Sequence, residues 1–101
     1  GNHDYWDFGY FQKKFNATLL GEKTKEGELV WEVELLGIPD QDPPYPKIIL
    51  WARQSDYFPV ALDYYNEKGF NSKSLILTDI QMIENYPTAM TMVMTDNKER
   101  S

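Results

Sequence analysis

From Asn16 to Thr95 the apolar residues recur with a period of two rather than 3.6, and this alternation is the tightest constraint on the fold. Residues 29–36 give the clearest run: Trp31, Val33 and Leu35 point one way, Glu32 and Glu34 the other. Residues 16–23, 47–53, 60–65, 72–83 and 88–95 read as five more strands. In 60–65, Val60, Leu62 and Tyr64 share a face. In 72–83, Ile76, Ile80 and Met82 oppose Leu75 and Leu77, with Asp79 interrupting the second set. In 88–95, Met90, Met92 and Met94 oppose Thr91, Val93 and Thr95. The run 47–53 has Ile48 and Leu50 on one face and Ile49 and Trp51 on the other, so it is predicted to be central and covered on both sides.

Turn residues punctuate the strands. TKEG (24–27), QSDYFP (54–59), NEKG (66–69) and ENYP (84–87) each connect one run to the next. GIPDQDPPYP (37–46) holds four of the six prolines, so it is a loop and neither a helix nor a central strand. Six sequential strands with mostly short connections predict an antiparallel meander in a mostly β chain. Residues 4–15 are aromatic, with Phe8, Phe11 and Phe15 at helical spacing, and predict at most a short N-terminal helix that plugs one end of the sheet. So short a helix cannot cover six strands. The apolar face must curl on itself, meet a second copy, hold a ligand, or dock on more of its own protein.

Composition narrows the function classes. Ten Lys+Arg against sixteen Asp+Glu give a net charge of −6, which argues against nucleic acid as a partner. With no cysteine there is no disulfide framework, thiolate metal site or cysteine nucleophile. No apolar run reaches the length of a membrane-spanning helix, and no basic-then-apolar leader stands at the start. His3 is the only histidine and lies beside the terminus, and neither a nucleophile elbow nor a phosphate-cradling loop occurs. Asp40 and Asp42 lack the rest of a calcium loop and read as a solvated turn, and Asn16-Ala17-Thr18 matches a glycosylation sequon without further support. The expectation is a binding protein with no catalytic residues, no metal and no cofactor. Three features offer apolar binding surface: the Met90/Met92/Met94 row, the Trp31/Val33/Leu35 face, and Trp51 with Ile49.

The run PPYPKIILWARQSDYFPVALDYYNEKG (43–69), followed by LILTDIQMIENYPTAMTMVMTDNK (75–98), resembles the outer-membrane lipoprotein-sorting, LolA-like family. The matching positions are Tyr45, Lys47, Leu50 and Trp51, then Tyr57 and Pro59, Tyr64 and Tyr65, and Gly69. Asp79, Ile80, Tyr86, Pro87, Thr88, Met90 and Met92 continue the pattern. LLGEKTKEGELVWEVEL (19–35) is similar to the family's first hairpin, and DFGYFQ (7–12) to a segment before it. Family members are longer. The chain is therefore expected to be a single domain, 1–101, forming the C-terminal half of a larger half-barrel. The resemblance implies a curved half-barrel-like sheet whose concave face holds lipoprotein acyl chains or another hydrophobic ligand in the bacterial cell envelope or periplasm. The lining it implies, if alternation holds without bulges, is Trp31, Val33, Leu35, Leu50, Leu62, Tyr64, Met90, Met92 and Met94. The rival reading is an envelope-stress sensory or scaffolding domain that binds a protein through the sheet. A homodimer through the apolar face or the sheet edge is a further expectation.

Overall fold

The computed structural model describes residues 8–97. His3, the polar tail at 98–101 and the side chain of Phe8 lie outside the described residues. Helix α1 (Phe8–Lys14) runs directly into β1 (Phe15–Lys25). Then come β2 (Glu28–Gly37), a 3-10 turn at Pro39–Gln41, β3 (Lys47–Arg53), β4 (Pro59–Tyr65), β5 (Asn71–Ile83) and β6 (Tyr86–Asp96). The six strands pair antiparallel in sequence order, and β1 does not meet β6, so the sheet is an open meander.

The turn chemistry explains the strand ends. Glu26 and Gly27 at φ 53° and 76° form a two-residue hairpin loop, the backbone twist that suits flanking strands. Glu84 and Asn85 at φ 50° and 70° do the same between β5 and β6. The turn expected over 84–87 is therefore only two residues long, and Tyr86 and Pro87 already belong to β6. At 66–69 the Asn66 Oδ1 accepts from the Lys68 and Phe70 amides at 3.0 and 3.1 Å, closing the loop from within. The proline-rich loop is clasped to the strands beside it. The Gly37 amide donates to Pro46 O and the Ile38 amide to Lys14 O, both at 2.8 Å. Lys14 Nζ reaches the Gln41 carbonyl at 2.7 Å. Gly37 permits this closeness, because a Cβ there would stand 2.7 Å from Pro43 Cγ.

Registers carry one apolar row across all six strands: Leu19, Val33, Leu50, Leu62, Leu75 and Met94 are successive cross-strand partners. This face, here the inner face, holds the larger core of Phe15, Leu35, Ile48, Leu50, Ala52, Leu62, Leu75 and Leu77. The neighbouring inner row runs Ala17, Leu35, Ile48, Tyr64, Lys73 and Asp96, apolar at one side of the sheet and charged at the other. On the outer face Val30, Trp51, Val60 and Ala61 form a second cluster, flanked by Ile49 and Ile80. Trp51 donates its indole N–H to Glu32 Oε2 at 2.9 Å and lies under Lys25 Nζ, 4.4 Å from the ring centre. Strand β3 is thus buried on both faces, as its two-sided apolar pattern predicts.

Besides a skip of Ser72 where Tyr64 and Tyr65 pair with Lys73 and Asn71, two bulges modify the alternation. One lies between Leu19 and Gly21, where Gly21 takes φ 138° and Leu20 is the extra residue. The other lies opposite the step from Trp51 to Ala52, where Ala61 and Pro59 are the partners and Val60 is skipped. Val60 therefore packs with Trp51 and Ala61, not on the face of Leu62 and Tyr64 as strict alternation predicts.

Candidate functional site: a cavity on the inner face

The inner face is not covered evenly. Phe11 of α1 stacks on Phe15 with ring centres 5.7 Å apart and packs against the inner core. Together they raise a wall over the β1 side of the sheet. Between this wall and strands β1–β3 lies an open cavity of about 780 Å³, within the size range of small-molecule and lipid pockets.

The lining follows from register. Val33 and Leu50 are cross-strand partners, as are Ala17 and Leu35, and Trp31 and Ala52. Trp31, Val33, Leu35, Leu50 and Ala52 form the floor with Phe15, and Phe11 and Gln12 of α1, Asn16, Ala17, Leu19 and Tyr57 complete the lining. Phe15, Leu35, Leu50 and Ala52 are buried, whereas Gln12, Asn16, Ala17, Leu19 and Tyr57 are exposed and form the rim. Among the described residues no charged side chain lines the cavity, and the polar ones that do are Gln12, Asn16 and Tyr57. Such a surface offers apolar contact inside and neutral hydrogen-bonding groups at the rim.

Of the nine residues expected to line a ligand site, Trp31, Val33, Leu35 and Leu50 line this cavity. Leu62 lies in the same row but is fully buried in the core beneath. Tyr64 lies past Ile48, outside the lining, with its ring centre 4.8 Å from that of Tyr45. Burial, and secondarily Tyr45, push the Tyr64 phenol above its ordinary pKa. Lys73 Nζ donates to Tyr45 Oη at 3.1 Å, and that bond raises the lysine's own pKa. Met92 and Met94 oppose Leu77 and Leu75 and so continue the inner face. With Met90 they are exposed and stand apart from the cavity at the β6 edge.

Phe11, Gln12, Phe15, Asn16, Ala17, Leu19, Ala52 and Tyr57 line the cavity without being among the nine expected residues. Ala17 and Leu19 carry the period-two signal of β1, and Ala52 lies two residues beyond Leu50, so the pattern contains them. Gln12 and Tyr57 come from non-periodic segments and carry no such signal. Among the described residues no group of three His, Asp or Glu side chains is placed to hold a metal ion. Among the same residues no helix is long and apolar enough to cross a membrane.

Comparison with known proteins bears on the fold. A family model described as "Uncharacterized protein" matches residues 1–101. No curated protein matches the sequence. Three solved structures share the fold. A domain described as outer membrane lipoprotein-sorting, from Vibrio parahaemolyticus, is 25% identical with a TM-score of 0.75, over 82% of this chain and 35% of that one. A LolA superfamily protein from Nitrosomonas europaea is 25% identical with a TM-score of 0.76, over 88% and 40%. A DUF1329 family protein from Desulfovibrio piger, at 20% identity and a TM-score of 0.77 over 82% and 35%, speaks for the fold alone. The chain therefore spans between 35% and 40% of the length of these structures.

Proposed function

We propose that this chain, which belongs to the family matched over residues 1–101 and has a LolA-like fold, binds the acyl chains of lipids or lipoproteins in its inner-face cavity. The role is non-enzymatic carriage or sorting in the bacterial cell envelope. The observation that carries this reading is that, among the described residues, the lining of the cavity of about 780 Å³ is mostly apolar and carries no charge. Burying hydrocarbon contributes about 0.8 kcal/mol per CH₂, so a chain of ordinary length gains affinity there without polar chemistry. The envelope location rests on the name of the Vibrio domain and on the superfamily of the Nitrosomonas protein.

A second reading has its own observation. Strand β6 is an unpaired edge with no charged side chain from Tyr86 to Thr95, and Met90, Met92, Val93 and Met94 are exposed on it. An uncharged edge suits pairing with a strand of another protein or of a second copy, as in a sensory or scaffolding domain. Native mass spectrometry before and after mild delipidation separates the readings. A co-purifying acyl lipid of defined mass supports carriage, and a clean lipid-free dimer refutes it in favour of an interaction domain.

A further inference from the structure

Tyr57 is held in a conformation that tyrosine rarely adopts. Its φ is 64°, in the left-handed region where a bulky side chain crowds its own backbone. The loop around it is over-determined. Arg53 forms a two-pronged ion pair with Asp56, Nε donating to Oδ1 at 3.0 Å. The same Oδ1 accepts from the Phe58 amide at 3.1 Å. The Tyr57 amide donates to Arg53 O at 2.7 Å, and the Arg53 amide to Phe58 O at 2.8 Å. Phe58 and Pro59 are buried behind it. All this fixes the backbone of Tyr57, yet the residue is 62% exposed and its side chain lies on the cavity rim. The fold gains little from that ring. Glycine or asparagine would fit the turn with less strain. Strain maintained by its surroundings is characteristic of ligand-contacting positions.

The chemistry of the rim points to what Tyr57 contacts. Its hydroxyl has no hydrogen-bond partner among the described residues, and the other polar side chains of the lining, Gln12 and Asn16, are neutral amides. Arg53, its near neighbour in sequence, is engaged by Asp56 and by Glu28 at 3.7 Å, so it is not available to an anion. The chain as a whole carries −6. Among the described residues the lining offers a carboxylate no cation, and the chain's net charge repels it. Ester or amide carbonyls need only a neutral donor. Building on the acyl-binding reading, we propose that Tyr57 is the specificity-determining residue of the cavity, donating its hydroxyl to the neutral ester or amide linkage of an acyl ligand and so selecting esterified or amide-linked chains over free fatty acids.

The test is displacement of Nile red from the delipidated chain by 1-monomyristoylglycerol and by myristate, which share a hydrocarbon chain and differ in headgroup. The expected result is binding of the ester tighter than the carboxylate by roughly tenfold or more. Tyr57→Phe should weaken the ester by roughly 2- to 10-fold relative to myristate, the worth of one hydrogen bond, each referred to the variant's own Nile red affinity. Tyr57→Gly should weaken the ester at least as much while raising Tm, because the strain is released. Equal binding of ester and carboxylate overturns the proposal, as does an unchanged ester affinity in Tyr57→Phe. A fall in Tm for Tyr57→Gly overturns it too, by assigning the tyrosine to the fold. If the dye and both lipids fail to bind wild type, the acyl-binding reading fails with it.

Discussion

Ala17 offers a clean way to close the cavity without touching the core. It lines the cavity yet is exposed, and its cross-strand partner is Leu35. Replacing it with tryptophan sends an indole into the space above Leu35 and Val33, from a strand position where aromatics are well tolerated. If the indole displaces about four methylenes of a bound chain, the loss at about 0.8 kcal/mol each is about 3 kcal/mol, or roughly two orders of magnitude in Kd. Thr18 is the matched control. It is equally exposed, one residue along, and pairs with Glu34 on the outer face. Thr18→Trp should bind as wild type, because a shift of one residue in a strand moves the side chain to the other face. Both variants should keep Tm close to wild type, since neither site is buried. Fluorescent acyl-probe titration of delipidated protein measures the difference. Wild-type affinity in Ala17→Trp, or equal losses in both variants, would refute the assignment of the cavity as the binding site.

Other expectations follow from the same structure. Gly37→Ala places a Cβ 2.7 Å from Pro43 Cγ and 3.0 Å from Tyr45 O. Relieving that overlap should cost about 1–3 kcal/mol, read as a lower midpoint in urea unfolding. Leu62→Ala, at a fully buried site, should cost about 2–5 kcal/mol, while Met92→Ala in the exposed β6 row should stay within about 0.5 kcal/mol. Equal effects in thermal melts would show that the β6 row is covered. The hydrogen bonds from Arg53 hold the Asp56 carboxyl below its ordinary pKa. A depressed carboxylate stabilises the fold above its unfolded pKa and loses that contribution as pH falls through the folded value. Asp56→Asn should therefore lower stability at neutral pH and flatten the decline below about pH 4, where wild type loses the same pair. A variant whose acid limb runs parallel to wild type would show that the pair does not govern it.

The strands were legible because their physics is local. In β2, Trp31, Val33 and Leu35 alternate with Glu32 and Glu34, and the structure places them on opposite faces, with Glu32 bonded to Trp51. In β3, Ile48 and Leu50 face the inner core while Trp51 faces outward, so a run that is apolar on both sides does mark a strand covered on both sides. Val60 was misassigned because a bulge leaves no mark in hydrophobicity: Pro59 and Val60 differ from a regular strand only in which residue pairs with Ala52. The shift is created by pairing between strands, a non-local event.

Alternation reports which face a residue occupies but not what stands above it. The row Leu19, Val33, Leu50, Leu62, Leu75 and Met94 is one chemical stripe, yet its members have three different surroundings. Leu62 and Leu75 are core, Val33 and Leu50 line a cavity, and Met94 is about half exposed. Whether an inner-face residue meets a ligand depends on a second layer at a suitable height. Contact closes the space, and the absence of a cover leaves open surface. On the β1 side that layer is Phe11, with Gln12 and Tyr57 at the rim, and all three come from segments without strand period. The stripe is therefore apolar along its whole length, while residues outside the strand period decide where a cavity is enclosed. This is why the methionine row, chemically the most suited to a soft apolar ligand, lies outside the cavity, and why Ala52, which looked ordinary in the sequence, lies in its floor.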